Sequence, residues 1–147
     1  MDEFIKLLDK NLDYVSHEIV GDTIFIRVIS NRQKVICPYC GRLSVKTHSH
    51  YERSFQDLPM QGKKVQIILQ NRKMFCENPE CNYATFAEKF DFLPANAKKT
   101  QRLKDEIINI SINVSSLTAM NLLRNNIADV GKSTICNLLK KRESSYQ

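Results

Sequence analysis

The sequence predicts an α+β chain: a small β-rich domain organised by two cysteine pairs, followed by a three-helix unit. Three observations predict it. Cys37-Pro38-Tyr39-Cys40-Gly41 and Cys76-Glu77-Asn78-Pro79-Glu80-Cys81 are close cysteine pairs set in turn residues. The stretch between them contains apolar and polar residues alternating at period two. From Lys98 onward the apolar spacing becomes helical.

Taken in order, residues 2–13 place Phe4, Leu7, Leu8 and Leu12 at helical spacing and read as a short amphipathic helix. After the turn signal Gly21-Asp22, the β-branched run Thr23 to Ile29 reads as a strand that Ser30-Asn31-Arg32 breaks. Residues 1–30 are thus an N-terminal helix and lead-in strand. Residues 31–93 form the cysteine-bracketed β domain. Within it, Ser44 to Phe55 suits one or two strands, and Asp57-Leu58-Pro59-Met60-Gln61-Gly62 reads as a turn. Lys63 to Phe75 alternates, with Val65, Ile67 and Leu69 on one face, and reads as a long strand delivering Cys76. A short strand is expected around Thr85-Phe86-Ala87, and a linker through Pro94-Ala95-Asn96-Ala97.

Residues 98–142 form the helical segment. Thr100 suits an N-cap, and Leu103, Ile107, Ile110 and Val114 form one stripe. Ser115 and Ser116 interrupt it, and either can cap a second helix carrying Leu117, Met120, Leu122 and Leu123, which Asn125-Asn126 ends. A third helix restarts after Val130-Gly131 with Ile135, Leu138 and Leu139 as its apolar stripe.

The 147 residues suffice for one domain or two small ones. No apolar run approaches the roughly 20 residues that span a bilayer, and the acidic start Met1-Asp2-Glu3 lacks the basic region of a signal peptide. A cytoplasmic location follows as the expectation, and there cysteines serve as thiols or metal ligands rather than disulfides. The net charge of +6 is uneven: residues 1–30 hold 3 basic and 6 acidic residues, whereas residues 98–147 hold 9 and 4. The positive field therefore lies toward the C-terminal end, where it would attract nucleic acid.

The cysteines carry the sharpest chemistry. Zn²⁺ favours a tetrahedron of thiolate and imidazole ligands. Cys37 and Cys40 share a short turn stiffened by Pro38, and Cys76 and Cys81 share a longer loop turned by Asn78-Pro79. Cys37, Cys40, Cys76 and Cys81 are therefore the expected ligands of one structural Zn²⁺. A closed shell of four thiolates leaves no position for a reactive water. Cys37-Pro38-Tyr39-Cys40 also suits a thiol-disulfide redox protein, but that chemistry needs a helix starting at the motif, and strand-like sequence follows. A zinc-stabilised protein-interaction module is the third reading. His48 and His50 read as surface histidines and Cys136 as a small core residue.

The last segment reads as helix-turn-helix, in which the start of the final helix meets base edges and nearby cations meet phosphates. Its candidate DNA contacts are Lys98, Lys99, Arg102, Lys132, Ser133, Thr134, Asn137, Lys140 and Lys141. The full expectation is a small β-rich zinc-binding domain followed by a three-helix helix-turn-helix unit.

The ordered string of Cys37-Pro38-Tyr39-Cys40-Gly41, His48-Ser49-His50-Tyr51-Glu52-Arg53, Asp57-Leu58-Pro59, Gly62, Val65, Arg72-Lys73-Met74-Phe75-Cys76, Asn78-Pro79, Cys81 and Thr85-Phe86-Ala87-Glu88 resembles the N-terminal region of ISL3-family transposases. The resemblance covers roughly residues 20–142. Gly131 departs from the family's usual serine-type cap, a change that helix N-termini tolerate. The resemblance implies a zinc-binding domain, then a helix-turn-helix, then an RNase H-like catalytic domain whose three acidic residues hold two metal ions. That catalytic domain is expected after about Gln147, making this chain a truncated or fragmentary N-terminal part with no enzymatic activity of its own. Asp57, Asp91 and Asp105 are not assigned to the acidic triad. The implied partner is double-stranded DNA at transposon terminal inverted repeats. Homodimerisation stays open, and neither a membrane nor a small-molecule substrate is expected.

Overall fold

The computed structural model describes residues 1–114, 116–126 and 131–145. Ser115, Val130 and Gln147, used above to mark boundaries, lie outside them. The first helix, α1 (Asp2–Leu8), is shorter than its apolar spacing suggested. Asp9 turns extended and accepts the Asn11 N–H through its carboxylate, ending the helix. Leu12 then opens β1 (Leu12–Val20), a strand absent from the sequence reading. It forms a hairpin with β2 (Thr23–Ser30) around Gly21-Asp22.

β3 (Val35–Ile36) and β4 (Leu43–Ser44) make a separate two-stranded ribbon around the first cysteine pair. β5 (Thr47–Met60) is longer than expected. The turn read at residues 57–62 contracts to Gln61-Gly62, both at positive φ. Pro59, which has no N–H to give a ladder, sits where the β5 register shifts between Asp57 and Met60. β6 (Lys63–Phe75) is the long strand expected, and β7 (Thr85–Ala87) pairs with its end.

The main sheet runs β1-β2-β6-β5. β2 and β6 are parallel, from Thr23↔Lys64 to Ile29↔Gln70, so residues 1–30 and residues 31–93 share one sheet. β5 takes the opposite edge of β6, which leaves β7 the stretch of the β2 edge beyond Gln70.

β6 passes through two cores. Its odd positions Val65, Ile67 and Leu69 are buried with Ile24, Ile26, Val28 and Phe55, under a cover of Ile5, Phe90 and Leu93. Farther along, Met74, at an even position, is buried with Val35, Cys37 and Phe86 in the cysteine ribbon. At the crossover lies the fully buried carboxylate of Glu88. Arg72 meets it with a two-pronged fork at 3.0 and 3.1 Å, Ser30 Oγ donates at 2.6 Å and Arg32 at 3.3 Å. This network ties β2, β6 and the segment after β7 where no apolar core joins them.

α2 (Gln101–Asn113), α3 (Ser116–Asn126) and α4 (Lys132–Ser145) follow. Thr100 caps α2 as expected, its hydroxyl accepting the Leu103 N–H at 3.3 Å. Leu103, Ile107, Ala119, Leu123 and Ile135 form a third core, with Leu58 of β5 packed on it. Leu117 and Leu122, expected on an apolar stripe, are exposed. Short helices expose such residues once one face is filled. The architecture is α+β, with four helices among the described residues. No described helix is long and apolar enough to cross a membrane.

Removing the Glu88 carboxylate strands two arginines in a part-buried site, and breaking such a buried pair typically costs about 3–5 kcal/mol. Glu88→Ala is therefore expected to lower unfolding stability by roughly that amount in a urea titration, whereas Glu52→Ala, whose ion pair with Arg27 is exposed, should cost about 0–1 kcal/mol.

Candidate metal centre

Each cysteine is delivered by a specific turn. At the end of β3, Cys37 accepts the Gly41 N–H at 2.8 Å, and its own N–H reaches the Arg42 carbonyl at 3.0 Å. Gly41 closes this knuckle at φ 78, where a side chain would be strained. At the end of β6, the Cys76 N–H donates to the Ala84 carbonyl at 2.9 Å. The Asn78 side chain accepts the Glu80 N–H at 3.0 Å, and the Asn78 carbonyl accepts the Cys81 N–H at 3.1 Å. Tyr39 and Tyr83 stack across the two loops at 3.7 Å, a contact 44 residues apart in sequence that no local pattern announces.

The result is a quartet. The sulfurs of Cys37, Cys40, Cys76 and Cys81 all lie within 4.8 Å of one another, and Cys40 and Cys76 approach to 3.5 Å. A disulfide needs about 2.05 Å, whereas a tetrahedron with Zn–S near 2.3 Å has edges of roughly 3.8 Å. All four are free thiols at the spacing of a tetrahedral site. Cys37 is buried, Cys76 and Cys81 half-buried and Cys40 exposed.

The electrostatics point the same way. The Arg42 backbone N–H holds the Cys40 thiol down at about 6, helped by Asn78 and the neighbouring sulfurs against desolvation. At Cys76 the Asn78 N–H lowers the pKa, but desolvation and the three other sulfurs outweigh it and raise the thiol to about 12. Four crowded sulfurs do not all ionise without a cation among them, and a dication reverses that balance.

Residues 33–81 match the family model of the zinc-finger of transposase IS204/IS1001/IS1096/IS1165. The span holds all four cysteines and covers a third of the chain. No curated protein and no solved structure matches. Geometry and family agree on structural zinc, and the donor set fits it: four sulfurs, no carboxylate or imidazole in the cluster.

The other candidates around the zinc ribbon fall elsewhere. His48 lies edge-on to Phe75 at 4.9 Å and bonds Ser49, and neither it nor His50 joins the cluster. Cys136 is half-buried on α4. No described helix starts at Cys37-Pro38-Tyr39-Cys40, the context a thioredoxin-like motif requires.

The expected DNA contacts occupy two places. Lys98 and Lys99 lie on a segment pinned to β5, where the Gln56 N–H reaches the Lys98 carbonyl at 2.8 Å and the Thr100 N–H reaches the Gln56 carbonyl at 3.0 Å. Lys132, Ser133, Asn137, Lys140 and Lys141 are exposed on α4, and Thr134 is half-buried there.

Arg102 is engaged differently. It forks onto Asp57, Nε to Oδ1 at 2.8 Å and Nη2 to Oδ2, and Asp57 holds its pKa above the ordinary value. Asp57 is buried and also accepts the Thr100 hydroxyl at 2.8 Å. This three-residue lock joins β5 to α2. Sequence reading gave Asp57 to a turn, since a partner 45 residues away leaves no local signal.

Two outcomes are expected. Purified chain should contain about one zinc, and a chelator should unfold the ribbon, because structural zinc is worth on the order of 10 kcal/mol in small zinc domains. Cys37→Ser should lose that zinc. Acid should do so too: ligation holds each sulfur as thiolate, placing its folded pKa below the free thiol's. The stability it contributes is complete above the free-thiol range and is lost progressively as pH falls. A zinc-selective dye and circular dichroism followed from pH 8 to pH 4 check this, and release on raising the pH would contradict it.

Proposed function

We propose that this chain is the DNA-binding N-terminal part of an ISL3-type transposase, recognising duplex DNA at transposon terminal inverted repeats and carrying no catalytic centre of its own. The observation that carries this reading is the transposase zinc-finger match over residues 33–81, centred on the four-sulfur cluster. In the proposal, residues 1–30 lead in, residues 31–93 form the zinc-binding domain and residues 98–142 form a helix-turn-helix. Zinc holds the ribbon, and the first turn of α4, with Lys132, Ser133, Thr134 and Asn137, enters the major groove. Lys98, Lys99, Lys140 and Lys141 meet phosphates.

Arg102 has a different part in this scheme. Its guanidinium is committed to Asp57. It orients α2 against β5 and so sets the angle at which the helices meet the duplex. The expected setting is the cytoplasm, with homodimerisation read from the stoichiometry of the bound complex.

The test is a mobility shift of zinc-loaded chain on a terminal-repeat duplex, a scrambled duplex and an acidic polymer. Preference for the repeat duplex is expected, with affinity falling roughly tenfold or more between about 50 and 200 mM salt, and a chelator should abolish the shift. Equal affinity for all three ligands would remove the sequence-reading part of the proposal.

A further inference from the structure

Lys104 is a lysine that the helix-turn-helix reading leaves without a role. It lies one turn into α2, half-buried beside the core residue Leu103. α2 and α4 share that core through Leu103, Ile107 and Ile135, which sets Lys141 of α4 facing the same junction. Lys99 enters from the third side, on the segment that two backbone hydrogen bonds fix to Gln56 of β5.

No carboxylate pairs with Lys99 or Lys104 among the described residues. The nearby acids have other partners: Asp57 is taken by Arg102 and Thr100, and Asp105 by the Gln101 amide at 3.0 Å. Burial pushes the Lys104 ammonium below its ordinary pKa, and the charges of Lys141 and Lys99 push it further. Converging like charges on packed elements destabilise the free protein, and a bound anion reverses the sign of that interaction.

We propose that Lys99, Lys104 and Lys141 form a phosphate-binding site at the junction of β5, α2 and α4, and that it holds the sugar-phosphate backbone of duplex DNA. This rests on the DNA-binding reading above and adds to it a place where the backbone is gripped. Three features favour a polymer backbone over a small anion. The groups are ammonium point charges without a guanidinium fork, which suits phosphate neutralisation rather than bidentate recognition. Exposed Lys98 and Lys140 extend the positive surface on either side. The site spans elements from both the sheet and the helices, so a strand laid across it fixes their register on the duplex. Such contacts position the protein and carry no sequence information.

The experiment compares wild-type chain, Lys99→Gln/Lys104→Gln, and a charge-matched control, Lys34→Gln/Lys63→Gln, by fluorescence anisotropy on repeat and scrambled duplexes across a salt series. The double variant should bind both duplexes more weakly by the same factor. Its slope of log affinity against log salt should be shallower by about 1 to 2, since each lost phosphate contact removes about 0.9. Its melting temperature without DNA should be unchanged or higher, because like charges have been removed. An unchanged slope, or an equal loss in the control, overturns the site while leaving the DNA-binding reading in place. Loss of discrimination between the two duplexes makes these lysines base readers and overturns it as well. A Lys104 NMR signal that moves with inorganic phosphate but not with duplex assigns the site to a free anion and overturns the DNA assignment. Failure of the wild-type chain to bind either duplex at low salt removes the reading and the site together.

Discussion

The convergence of four sulfurs within 4.8 Å is the constraint on which the cysteine ribbon depends. Apart from the cysteines, that ribbon buries only Val35, Met74 and Phe86 as apolar residues. At about 25 cal/mol per Å² of apolar surface, three side chains do not offset the entropy of ordering two knuckles and a two-stranded ribbon. A metal ion supplies the difference, as it does in other small zinc domains. Its position also matters: Cys76 directly follows β6, so the metal holds the end of the strand that forms the centre of the main sheet.

From that strand, order passes outward through two polar locks rather than through one continuous core. Glu88 with Arg72, Ser30 and Arg32 sits where β6 changes which face it buries. Asp57 with Arg102 and Thr100 sits where β5 meets α2. Both locks are charge-assisted and nearly saturated with hydrogen bonds, the condition under which buried charges are tolerated. Together they make a route from the zinc ribbon through β6 and β5 to the helices. A protein that grips a duplex with elements from both ends needs such a route, because a hinge there would let each part bind without the other.

Much of this was legible in the sequence because the signals were local. The two cysteine pairs, the period-two run of β6, the Thr100 cap and the Leu103-Ile107 stripe each depend on residues within a few positions of one another. What escaped depends on distant partners. β1 exists because β2 is there to pair with it, and residues 12–20 carry only exposed side chains after Tyr14, which obscures any alternation. Asp57 resembled a turn residue because Leu58-Pro59 follows it, yet a buried strand position is stabilised there by an arginine 45 residues on. Lys104 looked like one more helical surface charge, and only the packing of α4 on α2 gives it two like-charged neighbours.

The most direct measurement is X-ray absorption at the zinc edge of the purified, full chain. Four sulfur neighbours at about 2.3 Å, with no nitrogen or oxygen in the first coordination sphere, is the result expected of Cys37, Cys40, Cys76 and Cys81. A shell in which an imidazole or a water replaces any of the sulfurs would contradict the closed site, and with it the structural role given to the metal.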